Sequence, residues 1–113
     1  MNEKAIARVI GQVMGEAFVR MENGRPYIAP HFAHYLPHAF NPMNDPASWQ
    51  LVEYWMALHL SSGDFDSFIA EMVSWGITNT LHQFTAVPAV KTRALLKVVD
   101  PRAYKELVEN AQT

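Results

Sequence analysis

The sequence predicts a single α+β domain that spans residues 1–113. Three observations lead to this fold class: an opening stretch with helical spacing, an Asn-Gly pair between two β-prone segments, and Asp-Pro pairs that precede amphipathic stretches. Half of the residues are hydrophobic, so a chain of this length can bury one core. We therefore expect one unit that contains both helices and an antiparallel hairpin.

The first elements follow from local signals. Apolar residues recur at helical spacing over Ile6–Met14, behind Asn2 as a candidate N-cap. The segments Ala17–Met21 and Arg25–Ala29 flank Asn23-Gly24, a dipeptide that tolerates the two positive φ angles of a type I′ turn. The chain is thus predicted to begin with a helix and a β-hairpin.

Proline residues position the next elements. The segment Pro30–Asn44 contains three prolines and is predicted to be extended in part and irregular in part. Asp45-Pro46 is predicted to begin a helix, since Asp accepts from unpaired N–H groups and Pro fits the first helical position. Its inward face is predicted to carry Ser48, Leu51, Val52, Trp55, Met56 and His59, and its outward face Gln50, Glu53, Tyr54 and Ala57.

The later part of the chain contains one ambiguous segment and two helices. The apolar spacing over Phe65–Trp75 favours a helix, but a Thr-rich strand-like segment follows and would offer an antiparallel partner. Helices are predicted to begin at Pro88 and at Asp100-Pro101. In the first of these two, Arg93 and Lys97 are expected to face solvent.

Three pieces of the chain resemble the small phage proteins of the phage ABA-sandwich domain family. They are the opening helix that runs into Gly, the aromatic segment before the Asp-Pro helix, and a Thr-x-x-Pro-Ala helix: IARVIGQVMG, FNPMNDPASWQLVEYW and TAVPAVKTRALLKVVD. The resemblance implies an antiparallel four-stranded sheet sandwiched by helices, in the order α-β-β-α-β-β-α-α. It implies strands at Phe65–Trp75 and Ile77–Phe84, and it transfers no catalytic residues.

The basic residues are unevenly distributed along the chain. The sixty-five residues Pro26–Val90 contain no Lys and no Arg, but they hold all five His, all three Trp and eleven of the thirteen Phe, Trp and Tyr residues. Five acidic residues give this stretch a formal charge of −5, whereas the two ends together carry +3. Proteins that bind nucleic acid neutralise its phosphate groups with Lys and Arg side chains. Because the middle stretch has none and the two ends together carry only +3, we expect no direct binding of nucleic acid.

Two groups of residues are candidate metal ligands, and the first lies in the Pro-rich segment. His31, His34 and His38 are spaced by three and four residues, which suits a transition metal if the segment is helical. Pro37 makes that helix doubtful, so locally hydrogen-bonded histidines are the favoured interpretation. Asp64 and Asp66 lack the further acidic positions of a calcium loop and are expected to form a turn. No metal or other cofactor is predicted.

The aromatic residues supply the candidate binding surface. Trp49, Tyr54, Tyr35 and Phe40 are the residues that we expect to contact a partner, because aromatic side chains concentrate at binding hot spots. Trp49 lies at the edge of the inward stripe of its helix, and core and interface are equally consistent with that position. No catalytic motif with a nucleophile, phosphate loop or metal-binding helix is present, so no enzymatic activity is expected.

Together these features favour a small phage-type accessory protein that binds another protein, for example an inhibitor of a host or defence factor. A homodimer through the same aromatic face is compatible with its composition. The alternative is a small-ligand or metal-binding protein that uses His31, His34 and His38. The sequence has no signal peptide and no apolar run of the ~20 residues that span a bilayer, so a cytoplasmic protein is expected, with no membrane partner.

Overall fold

The computed structural model describes residues 2–33, 38–77, 79 and 87–109. Within them the fold is α+β and rich in helix, with an antiparallel three-stranded sheet in the order β1-β2-β3. The strands are β1 (Val19–Glu22), β2 (Arg25–Ile28) and β3 (His38–Ala39). The helices are α1 (Glu3–Met14), α2 (Pro30–Ala33), α3 (Pro46–His59), α4 (Ser62–Ser74), α5 (Pro88–Val99) and α6 (Pro101–Tyr104), and Lys105–Glu109 continue α6 as π-helix.

The predicted opening helix and hairpin are confirmed. The turn residues Asn23 and Gly24 have φ angles of 54° and 77°, as a type I′ turn requires. Strands β1 and β2 pair in the register Val19 with Ile28, which places two buried side chains on the same face of the sheet. Asn2 precedes α1 without capping it; its side-chain amide donates to the Leu107 carbonyl at 3.1 Å. The amino end of the chain is thereby joined to the π-helical segment.

The prediction of a strand at Phe65–Trp75 is wrong, and so is the prediction of a four-stranded sheet. Most of Phe65–Trp75 belongs to helix α4, whose N-cap Ser61 accepts the N–H of Asp64 at 3.1 Å. Phe68 and Met72 are buried on one side of this helix, whereas Phe65 and Val73 are exposed. That four-residue period is the helical pattern already present in the sequence. The predicted strand Ile77–Phe84 lies largely outside the described residues, and Ile77 and Asn79 belong to no strand.

The third strand lies instead in the Pro-rich segment. Strand β3 pairs with β2 through Tyr27 with Ala39 and Ile28 with His38. It is only two residues long, and the Phe40 N–H continues the pairing with a bond of 3.0 Å to the Pro26 carbonyl. The sheet therefore forms from consecutive segments of the first forty residues, and helices make up the rest of the described fold.

Both helices predicted to begin at Asp-Pro pairs are confirmed. The Asp45 carboxylate accepts the N–H of Ala47 at 3.2 Å, and the Asp100 carboxylate accepts the N–H of Ala103 at 3.0 Å. The proline occupies the first helical position in each case. The predicted start of a helix at Pro88 is also correct.

The turn formed by residues 41–45 connects the sheet to three helices. Thr92 of α5 is fully buried, and its hydroxyl donates to the Pro42 carbonyl at 2.8 Å. Ser48, also fully buried, accepts the N–H of Asn41 at 3.0 Å and donates to Asp45 at 2.9 Å. The Asn44 amide donates to the Glu3 carboxylate of α1 at 2.8 Å. One short turn is thus held by α1, α3 and α5.

Helices α4 and α5 are joined by an ion pair near the end of α5. The Lys97 ammonium lies 3.0 Å from a Glu71 carboxylate oxygen and 5.4 Å from the centre of the Tyr104 ring. The hydrogen bond to Glu71 raises the pKa of Lys97, and burial raises the pKa of Tyr104. Lys97 was expected to face solvent, and it is indeed partly exposed while its charge is paired.

Thr92→Val should destabilise the protein by about 1–3 kcal/mol, because it keeps the side-chain shape but leaves the buried Pro42 carbonyl without a donor. Ser67→Ala is the control, since that hydroxyl donates to the Gly63 carbonyl at an exposed site and its loss should cost no more than about 0.5 kcal/mol. Urea unfolding measures both changes. Equal stability of Thr92→Val and the wild type would contradict the role of this bond.

Gly11→Ala should also destabilise, although alanine favours a helix by about 1 kcal/mol over glycine. A Cβ at this position would lie 2.8 Å from Val19 Cγ1 of β1, and overpacking of this kind costs about 1–3 kcal/mol. In a Val19→Ala background the clash is absent, and Gly11→Ala should then raise the free energy of unfolding. If Gly11→Ala changes the free energy of unfolding in the same direction in both backgrounds, the close approach of α1 to β1 does not determine its effect.

Candidate binding surface

Helix α3 separates a buried face from an exposed one. Its buried residues are Ser48, Trp49, Leu51, Val52, Trp55 and Met56. The outward positions predicted from the sequence, Gln50, Glu53, Tyr54 and Ala57, are all exposed. The prediction that His59 faces inward is wrong: it is exposed at the last residue of α3, where its ring packs against Phe18 and Trp55 from the outside.

An aromatic cluster lies against the exposed face of α3. The rings of Phe18 and Phe32 stack with centres 5.2 Å apart, and the Tyr54 ring lies 6.2 Å and 5.9 Å from them. His31 packs edge-on against Phe32 at 5.0 Å, and His59 packs edge-on against Phe18 at 5.6 Å. Phe18 is buried, whereas Tyr54 is 52% exposed. The cluster therefore presents a tyrosine to solvent on a packed aromatic base.

A groove of about 500 Å³ runs beside this cluster, along the first half of α3. Phe32 and Tyr54 belong to both the cluster and the groove, and His38, Asp45 and Gln50 line the groove as well. Leu58, which is 56% exposed, lies one helical turn beyond Tyr54. We refer to the cluster, the groove and Leu58 together as the α3 surface; its exposed or partly exposed side chains are His31, Phe32, His38, Asp45, Ala47, Gln50, Tyr54, Leu58 and His59.

The α3 surface has no basic side chain of fixed charge. No Lys or Arg occurs between Pro26 and Val90, and none lines the described part of the groove. Asp45 contributes a carboxylate, which is shared with the N-terminal turn of α3. The surface is therefore aromatic, polar and weakly acidic.

The structure places the predicted partner-contacting residues in different environments. Tyr54 lies on the α3 surface, whereas Trp49 and Phe40 are 3% and 2% exposed and belong to the core. Tyr35 lies outside the described residues. Of the four, Tyr54 is the one that the structure brings to the candidate site.

Trp49 is buried because two later helices cover it. Its ring stacks on Phe68 of α4 with centres 6.4 Å apart, and its indole N–H donates to Glu53 at 2.6 Å. The Lys91 ammonium of α5 lies 5.1 Å from the centre of the ring and 3.6 Å from the Glu53 carboxylate. A buried lysine was not predicted at this position. Its charge is compensated by a carboxylate and an aromatic face.

The candidate metal ligands are not brought together in the described part of the chain. His31 and His38 are exposed on α2 and β3, and His34 lies outside the described residues. No group of three His, Asp or Glu side chains among the residues that the structure describes could hold a metal ion. Asp64 and Asp66 were expected in a turn, but they lie in the first turns of α4.

Sequence reasoning missed much of the α3 surface. Phe18 lies just before β1, more than thirty positions from Tyr54, and Phe32 belongs to the short helix α2. No spacing rule relates these residues, because the hairpin and the first turn of α2 bring them to α3. Leu58 could have been found, since it lies four residues after Tyr54 on the same predicted face.

In the described residues no helix has the length and apolar character needed to cross a bilayer.

Trp49→Ala should destabilise the fold by about 3–5 kcal/mol, because it removes a large buried side chain that contacts Phe68, Glu53 and Lys91. Tyr54→Ala removes exposed aromatic contacts and should cost at most about 1.5 kcal/mol. Thermal and urea unfolding of the two variants test this difference. Similar losses for both would contradict the assignment of Trp49 to the core and Tyr54 to the surface.

Comparison with known proteins yields no matching family model and no significantly similar curated protein or solved structure. The resemblance to the phage ABA-sandwich family therefore stays a prediction from the sequence, and its four-stranded sheet is not the one that this chain forms.

Proposed function

We propose that this protein acts by binding another protein through the α3 surface, and that the partner presents basic side chains to it. The observation that carries the proposal is the exposed Tyr54 on its packed base of Phe18 and Phe32, in a region without Lys or Arg. An accessory role in a phage, such as inhibition of a host or defence factor, is the setting that the sequence resemblance suggests for this activity.

The aromatic cluster has the properties of a binding hot spot. Tyrosine offers a large contact area with only two rotatable side-chain bonds, so little conformational entropy is lost when it is buried. Contacts with Phe18 and Phe32 restrict Tyr54 before any partner arrives. Leu58 extends the apolar area by one helical turn, and Gln50 and the histidines provide a polar rim.

Charge favours a basic partner over a second copy of the chain. Two copies joined through this surface would bring their Asp45 carboxylates toward each other, and like charges across an interface oppose association. A Lys or Arg from a different protein could instead contact the Tyr54 or Phe32 ring face and approach Asp45. We therefore favour a complex with a different protein. The competing alternative is a homodimer through the same face.

The proposal is tested by affinity capture from a bacterial lysate, with the captured protein identified and then purified. Tyr54→Ala combined with Leu58→Ala should weaken its binding at least about tenfold, because both apolar anchors are lost. Val73→Ala on α4 is the matched control: its side chain is 43% exposed but contributes nothing to the α3 surface. Binding should weaken as NaCl rises from about 50 to about 300 mM, since salt screens a basic partner.

Three results would overturn the proposal. Equal binding by the wild type and the double variant would place the interface elsewhere. Affinity that does not change with salt would exclude the basic partner. Light scattering that shows a dimer at micromolar concentration, abolished by the double variant, would assign the α3 surface to a second copy of the chain.

A further inference from the structure

A second concavity lies between α1 and the strand β2, with a volume of about 450 Å³. Its lining includes Tyr27, which is partly exposed, the buried Phe40, and three cationic residues, Lys4, Arg8 and Arg25. It shares no lining residue with the groove of the α3 surface: on β3, His38 lines the groove and the next residue, Ala39, lines this cavity. It is therefore a separate site from the one that the proposed function uses.

The three cationic residues come from two elements that the fold brings together. Lys4 and Arg8 are four residues apart on α1, so their side chains project from the same face of the helix. Arg25 is the first residue of β2, directly after the type I′ turn. Of the four Lys and Arg residues in the first twenty-five positions, three thus line one cavity.

These cations have no carboxylate partners in the described structure. Among the described residues the ion pairs are Lys91 with Glu53, Lys97 with Glu71 and Arg102 with Glu106, and they include none of the three. Glu3 also lines the cavity, but its carboxylate accepts the Asn44 amide at 2.8 Å. Three positive charges and one negative charge leave the lining with a formal charge of +2.

We propose that this cavity binds a small phosphate monoester with a flat apolar body. A phosphate monoester carries about −1.5 to −2 charges at neutral pH, which matches the excess charge of the lining better than a single carboxylate does. Arginine offers paired N–H groups to phosphate oxygens, and Tyr27, which is partly exposed, provides an aromatic surface for a planar group. The volume lies within the range of about 300–1,000 Å³ that is usual for small-molecule sites.

The test measures binding of adenosine 5′-monophosphate and naphthyl phosphate to the full chain, by calorimetry and by shifts of backbone amide resonances. At least one of them should bind at least about tenfold more tightly than adenosine, naphthol or inorganic phosphate alone, because the phosphate group and the planar group both contribute to binding. In the wild-type protein the largest resonance shifts should fall on α1, β2 and Phe40.

Two double variants distinguish specific binding in the cavity from general attraction between the phosphate and positively charged residues. Arg8→Gln with Arg25→Gln should weaken binding at least about tenfold, because each guanidinium forms a charge-assisted contact. Arg102→Gln with Lys105→Gln removes the same charge from exposed residues outside the cavity and should leave affinity unchanged. Circular dichroism confirms that each variant is folded.

No saturable binding of either phosphate monoester would overturn the proposal. Equal weakening by the two double variants would assign the binding to net charge alone. Inorganic phosphate that binds as tightly as the monoesters, or resonance shifts confined to other elements, would exclude the cavity as a site for this class of ligand.

Discussion

The buried hydrogen bond from Thr92 to the Pro42 carbonyl is the contact on which the arrangement of helices and sheet most depends. The two residues are fifty positions apart, and both groups are removed from water. Because an unpaired carbonyl in the core is unfavourable, the 41–45 turn is held where α5 supplies this donor. Ser48 and Asp45 stabilise the same turn from α3, and Asn44 connects it to α1. The relative positions of the sheet and the helices thus follow from one short segment.

This arrangement determines which aromatic residues are available to a partner. Helices α4 and α5 cover one face of α3, where Phe68 and Lys91 enclose Trp49. On the other face, Phe18, just before the hairpin, and Phe32 of α2 pack against the Tyr54 ring, and Tyr54 stays 52% exposed. Trp49 and Tyr54 lie five positions apart on α3. One belongs to the core and the other to the surface because different elements pack against the two faces of the helix.

The uneven distribution of charge along the chain becomes a spatial division. The Lys- and Arg-free stretch provides the α3 surface, while three cations of the first twenty-five residues line the cavity beside α1. Strand β3 separates the two, because its successive residues face opposite sides of the sheet. An aromatic, weakly acidic surface and a basic concavity suit different ligands. The two proposed sites therefore occupy separate surfaces of the described structure.

The sequence by itself determined those elements whose signals are local. The Asn23-Gly24 turn, the Asp-Pro helix starts and the period of α1 depend on backbone preferences that act within a few residues, and all three agree with the structure. The helical period of α4 was also present in the sequence, and the strand expected there came from the family resemblance. Tertiary structure alone decided the burial of Trp49 and Lys91, the third strand at β3, and the meeting of Phe18, Phe32 and Tyr54. These features depend on which elements pack together, and contacts between residues distant in sequence leave no spacing pattern in the chain.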